Sequence, residues 1–219
     1  MSLAIVFDFD GTLVDTQRFH AWIESEFLKK YNIDILPEDI TKTYAWRTPR
    51  ERITEVFSEH QQYIDDEILE AFEKQKNQRI IDLSKEGKIT LLPWVKNLLD
   101  ELHNNNIPIW IASWTSIYAL DILIEYFDLG ITYYTSADEV EHKKPAPDVF
   151  NKTFEKMWIW HTIQKIVIWD GISDVIWGKA AGAKTIYVSP NNKEKAKEIW
   201  AVLCISSLEE LSLDIIHHL

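Results

Sequence analysis

Apolar residues along the chain fall into two kinds of pattern. Short continuous runs rich in β-branched residues, at 3–7, 107–112, 131–134, 166–169 and 185–188, have the length and composition of strands buried on both faces, which is what a parallel sheet demands. Between them lie patterns of helical period. Val95, Leu98, Leu99 and Leu102 share one face, as do Ile117, Leu120, Leu123, Ile124 and Phe127, and a short Ala-rich stretch covers 175–181. Strand alternating with helix predicts an α/β fold, a doubly wound and mostly parallel sheet.

Residues 16–87 break the alternation, because they carry helical stripes alone. Phe19, Trp22, Ile23, Phe27 and Tyr31 form one stripe, Ile53, Val56 and Phe57 a second, and Ile68, Leu69, Phe72, Ile80 and Leu83 a third. Pro37 and Pro49 are placed to open helices, since the first helical position needs no N–H. The expected organisation is therefore an α/β core from 1–15 and 88–219, with an all-helical domain inserted at 16–87.

The chain has 219 residues, 46% of them hydrophobic, enough for a sizeable core. A net charge of −12 disfavours nucleic acid and anionic membrane surfaces as partners. No stretch approaches a membrane span and no leader pattern opens the chain, so a cytoplasmic protein, monomeric or weakly dimeric, is expected. The single cysteine, Cys204, lies in the apolar run 201–205 and is expected as a buried strand thiol.

Ligands of open parallel sheets bind beyond the carboxyl ends of the strands, and the residues found there are polar in a specific way. The first strand ends in Asp8-Phe9-Asp10-Gly11-Thr12, the second in Ser113-Trp114-Thr115-Ser116, and the fourth in Asp170-Gly171-Ile172-Ser173-Asp174. Lys143-Lys144-Pro145-Ala146-Pro147-Asp148 follows the third. Carboxylates brought together repel, by about 4 kcal/mol at 4 Å and an effective dielectric near 20, and a divalent cation removes that cost. Oxygen donors favour Mg²⁺, while lysine and hydroxyl groups suit a phosphate dianion.

These four segments, in this order, resemble the motifs of the haloacid dehalogenase superfamily. The helical insertion is similar to the cap of its phosphoglycolate phosphatase and β-phosphoglucomutase branch. The resemblance implies a Mg²⁺-dependent phosphatase of a small phosphorylated metabolite. Asp8 would be the nucleophile and Asp10 the general acid and base, with Thr12 holding Asp10. Gly11, Thr12, Ser113 and Lys144 would surround the phosphoryl group. Asp8, the Asp10 carbonyl, Asp170 and Asp174 would hold the metal, Asp174 through water or as support. Thr115 and Ser116 are expected to cap the following helix, and Asp148 to open its own. In the inserted domain, Arg47 and Arg50 are candidates for gripping the rest of the substrate. The alternatives are a phosphomutase, whose fourth motif typically begins Glu-Asp where this chain has Trp169-Asp170, and a silent member that binds a phosphorylated ligand.

One oddity is compositional. The chain has 6 Gly and 10 Trp, whereas an ordinary glycine share would give about 15. Trp94, Trp158, Trp169, Trp46 and Trp200 stand where glycine is usual in the resemblance. Either the source decodes UGA as glycine, or these are native tryptophans filling apolar gaps.

Overall fold

The computed structural model describes residues 3–44, 47–142, 146–157, 163–189, 198 and 200–219. The chain divides into two compact units, Met1–Asp15 with Leu91–Leu219, and Thr16–Thr90.

The first unit is built on a six-stranded sheet. Its strands are β1 (Leu3–Phe7), β2 (Ile109–Ser113), β3 (Tyr134–Ser136), β4 (Gln164–Trp169), β5 (Lys184–Val188) and β6 (Leu203–Ile205). They lie in the order β3-β2-β1-β4-β5-β6, and every pairing is parallel. All five residues of β1 are buried, because helices cover both faces of the sheet. On one face Ala4, Val6, Trp110, Ala112, Val167 and Trp169 pack against Val149, Phe150 and Phe154. Each such large apolar side chain contributes about 1.5–3 kcal/mol on burial.

Two expectations about strands need correction. β3 begins at Tyr134 rather than 131, since its ladder to β2 pairs Tyr134, Thr135 and Ser136 with Ile111, Ala112 and Ser113. Thr135 and Ser136 are fully buried polar residues, and polar residues read as loop in a sequence. Cys204 does lie in a strand, opposite Tyr187, but β6 is the sheet edge and the thiol is only half-buried.

The second unit contains α1 (Gln17–Lys29), α2 (Pro37–Thr43), α3 (Pro49–Glu59) and α4 (Asp66–Lys85). Pro37 and Pro49 each stand in the first turn, and Thr48 and Glu51 close a reciprocal capping box on α3. Phe27 meets Phe72 with ring centroids 4.3 Å apart, and Tyr31 meets Phe57 at 5.0 Å. The buried stripe of α1 is rotated from the expected one. Trp22 is exposed, with the Arg79 guanidinium 5.8 Å from its ring centroid, while Glu24 is fully buried. Glu24 tolerates burial because Arg52 donates to both its oxygens, at 2.9 and 2.6 Å, and Lys76 donates to Oε1 at 2.8 Å.

The remaining helices belong to the first unit: α5 (Val95–Asn104), α6 (Ile117–Tyr126), α7 (Asp148–Lys156), α8 (Ile172–Ala180) and α9 (Leu213–His218). α5 buries Val95, Leu98, Leu99 and Leu102, the face that its period predicts. Its N-cap, Trp94, has φ of +68°, a left-handed conformation that costs a residue with a Cβ about 1–2 kcal/mol. Trp200 also has positive φ, at +56°. Trp46 and Trp158 lie outside the described residues.

Candidate active site

β1 is central, flanked by β2 and β4, so the carboxyl ends of three neighbouring strands open side by side. The Asp8 N–H donates to the Ile168 carbonyl at 3.0 Å, which carries the β1–β4 pairing one residue past the strand. Asp8 is therefore held at the strand end, 5% exposed, and its Oδ1 accepts the Phe9 N–H at 2.6 Å. The chain then folds tightly. Leu13 and Val14 donate to the Phe9 carbonyl, and Gly11 donates to Val14. Gly11 has φ of +77°, which its lack of a Cβ permits without strain. This turn puts Phe9 and Leu13 in the core and leaves Asp10 and Gly11 partly open.

The loop after β2 reaches the turn after β1 and the helix that follows β4. Ser113 is fully buried, and its hydroxyl accepts the Thr115 N–H at 3.0 Å while keeping its own proton to donate. The Trp114 indole donates to Asp174 Oδ1 at 3.2 Å, and the Thr115 hydroxyl donates to Asp10 Oδ2. Ser116 caps α6 by accepting the Ala119 N–H, as expected, but Thr115 does not share that role. The Thr12 hydroxyl, expected to hold Asp10, is instead buried and finds no hydrogen-bond partner among the described residues. Asp10 points to the β2 loop, which a sequence neighbour two positions along the turn does not reach.

Asp170 follows β4 and is partly exposed, while Asp174, in the first turn of α8, is 3% exposed. Gly171 makes room for it: a Cβ there would stand 2.2 Å from Asp174 Oδ2. Lys144 lies outside the described residues. Asp148 opens α7 as expected, paired with His142 Nδ1 at 2.9 Å.

Among the described residues no three His, Cys, Asp or Glu side chains form a metal-holding group. The carboxylates near these strand ends, those of Asp8, Asp170 and Asp174, would offer a cation oxygen donors alone, with water completing the shell. That all-oxygen, partly hydrated donor set fits Mg²⁺, which dehydrates reluctantly.

In the helical unit, Arg47 pairs with Glu55, and Arg50 reaches Asp66 at 2.6 Å and Glu73 at 3.3 Å. No helix among the described residues is long and apolar enough to cross a membrane.

Comparison with known proteins identifies the family and the fold. The family model described as haloacid dehalogenase-like hydrolase matches residues 5–188. Pyrophosphatase PpaX of Oceanobacillus iheyensis is 27% identical over 196 residues, 87% of this chain and 85% of that protein. (DL)-glycerol-3-phosphatase 2 of Arabidopsis thaliana is 27% identical, covering 84% and 78%. Among solved structures, a family IA HAD hydrolase from Entamoeba histolytica superposes with a TM-score of 0.81 at 24% identity over 97% and 96% of the two chains. CbbY from Rhodobacter sphaeroides, solved with phosphate, gives a TM-score of 0.79 at 25% identity, covering 97% of each. The chain belongs to the haloacid dehalogenase-like hydrolases, as an enzyme of the phosphoric monoester hydrolase type.

Proposed function

We propose that the protein is a Mg²⁺-dependent phosphatase of a small phosphorylated metabolite, working through an aspartyl phosphate on Asp8. The observation that carries this is the placement of Asp8, Ser113 and Asp170 at three adjacent strand ends, with Asp10 one turn beyond Asp8. One relative is named a pyrophosphatase, another a glycerol-3-phosphatase, and a structural neighbour was solved with phosphate, which supports a phosphorylated substrate.

In the first step an Asp8 oxygen bonds to phosphorus as the bond from phosphorus to the ester oxygen breaks, and that oxygen takes the proton of Asp10. Water then attacks the aspartyl phosphate, giving its proton to Asp10, and the Asp8–phosphorus bond breaks to release phosphate. Ser113 donates to a phosphoryl oxygen, and Lys144 adds a positive charge to the group being transferred. Asp8, the Asp10 carbonyl and Asp170 would hold Mg²⁺, with Asp174 behind them. The ion supplies charge neutralisation, so that a carboxylate nucleophile can meet an anion.

Substrate choice is assigned to the helical unit. The Arg47–Glu55 and Arg50–Asp66 pairs are exposed and worth about 0–1 kcal/mol each, so either guanidinium can exchange that carboxylate for an anionic ligand, Arg50 keeping its part-buried partner Glu73. The mutase reading lacks an acid before Asp170, since Trp169 there is buried against Phe150.

Phosphate release from sugar phosphates, phosphoglycolate, glycerol phosphate and nucleotides, measured with Mg²⁺ and with EDTA, tests the proposal. Release restored by Mg²⁺ after chelation supports it. Release indifferent to metal, or none from any substrate, refutes it.

A further inference from the structure

We propose that Thr115 is the positioning residue of Asp10. The inference rests on the phosphatase reading above and adds to it a residue that acts through the general acid. Three observations carry it. The Thr115 hydroxyl donates to Asp10 Oδ2, across 105 positions of chain. The Thr115 backbone is pinned on both sides, its N–H donating to Ser113 Oγ at 3.0 Å and its carbonyl accepting the Ser136 hydroxyl at 2.7 Å. Both of those serines are fully buried, so the donor stands on a fixed frame. The hydroxyl nearer in sequence, Thr12, is directed elsewhere and buried without a partner.

A hydrogen bond to one oxygen of a carboxylate restrains its rotation about the Cβ–Cγ bond and so favours one direction for the other oxygen. Proton transfer to a leaving oxygen needs that alignment, because general acids act only within hydrogen-bond reach of the atom they protonate. The need grows with the basicity of the leaving group. A nitrophenolate leaves without a proton, whereas phenolate requires one far more.

The test compares kcat/KM of Thr115→Val and Thr115→Ser with the wild type on phenyl phosphate and p-nitrophenyl phosphate, in the presence of Mg²⁺. Thr115→Val is expected to lose roughly 10- to 100-fold on phenyl phosphate, part of the full contribution of a general acid, and less than about threefold on p-nitrophenyl phosphate. Thr115→Ser, which keeps the donor, is expected to recover most of the loss. Thr115→Ala, which also lacks the donor, repeats the comparison if the melting temperature of Thr115→Val falls. Equal losses on the two substrates, no loss on phenyl phosphate, or failure of serine to rescue would each overturn the proposal. A wild-type protein inactive on both aryl esters and on the sugar phosphates, phosphoglycolate, glycerol phosphate and nucleotides would instead defeat the phosphatase reading itself.

Discussion

The indole N–H of Trp114 donates to Asp174 Oδ1 over 3.2 Å, joining the loop after β2 to the first turn of α8. The same ring lies edge-on to Trp177, with centroids 6.4 Å apart. Orienting partners of this kind, one step behind a metal, typically carry 10- to 100-fold in metal affinity. Trp114→Phe keeps an aromatic side chain but removes the donor together with the pyrrole half of the ring. Calorimetric titration with Mg²⁺ on the folded variant should then show binding weaker by roughly 10- to 100-fold. Unchanged affinity would mean that the Trp114 donor does not orient Asp174 for the metal.

Asp8→Asn should abolish turnover and spare the fold. The amide loses the nucleophilic charge, yet its oxygen can still accept the Phe9 N–H that Asp8 Oδ1 accepts at 2.6 Å. Turnover is expected to fall about 10⁴-fold or more, with circular dichroism and thermal melting close to the wild type. Residual activity above a few per cent in pure variant would exclude the covalent route.

Burial pushes the Glu24 carboxyl up, but Lys76 and Arg52 together outweigh it and hold the group below the usual carboxylate range. Glu24 thus stays ionised in the folded protein at pH values where it is already protonated in the unfolded chain. Its contribution to stability is full above the ordinary carboxylate range and declines as pH falls through the lowered folded value. Glu24→Gln leaves the buried Lys76 and the partly buried Arg52 without their counter-charge and should cost about 3–5 kcal/mol at pH 7. Denaturant unfolding at pH 7 and in the acid range should show that difference shrinking as the pH drops.

Trp94 and Trp169 should respond oppositely to glycine. Trp94 has φ of +68° and is about half exposed, so Trp94→Gly relieves backbone strain and gives up little packing. A gain of about 1 kcal/mol is expected, or a rise of some 2–4 °C in melting temperature. Trp169 is fully buried, with its ring centroid 5.0 Å from that of Phe150. Its indole nitrogen finds no partner among the described residues, a burden of about 1–3 kcal/mol. The cavity left by Trp169→Gly costs more, about 3–5 kcal/mol, so this variant should melt lower. Destabilisation by Trp94→Gly would show that the ring packs favourably despite the backbone. Peptide mass mapping of the protein from its natural host reads the residue at both positions directly.

Sequence alone determined the parallel sheet and the order of its motifs. Runs such as 3–7 and 166–169 are apolar on both faces because helices cover both, and that signal is local. The helical character of 16–87 was legible for the same reason, as were the openings at Pro37 and Pro49, since a helix start depends on a few adjacent residues. Asp8, Asp10, Ser113 and Asp170 could be picked out because each follows a strand, and strand ends are where such a sheet binds. Tertiary structure decided which side chains meet. Thr12 is two residues from Asp10 and Thr115 is 105, yet Thr115 holds it, because β2 runs beside β1 and the loop after β2 carries its hydroxyl to the turn. Glu24 lies outside the apolar stripe expected on α1, and only the packing of α3 and α4 against that helix brings Arg52 and Lys76 to a buried carboxylate. β3 reads as Ile131 onward by composition, but its register with β2 places the ladder on Tyr134, Thr135 and Ser136. Periodicity reports which face of an element is covered. The partner on that face comes from chain brought in from far away, so polar contacts between distant segments exist only once the sheet and helices have packed.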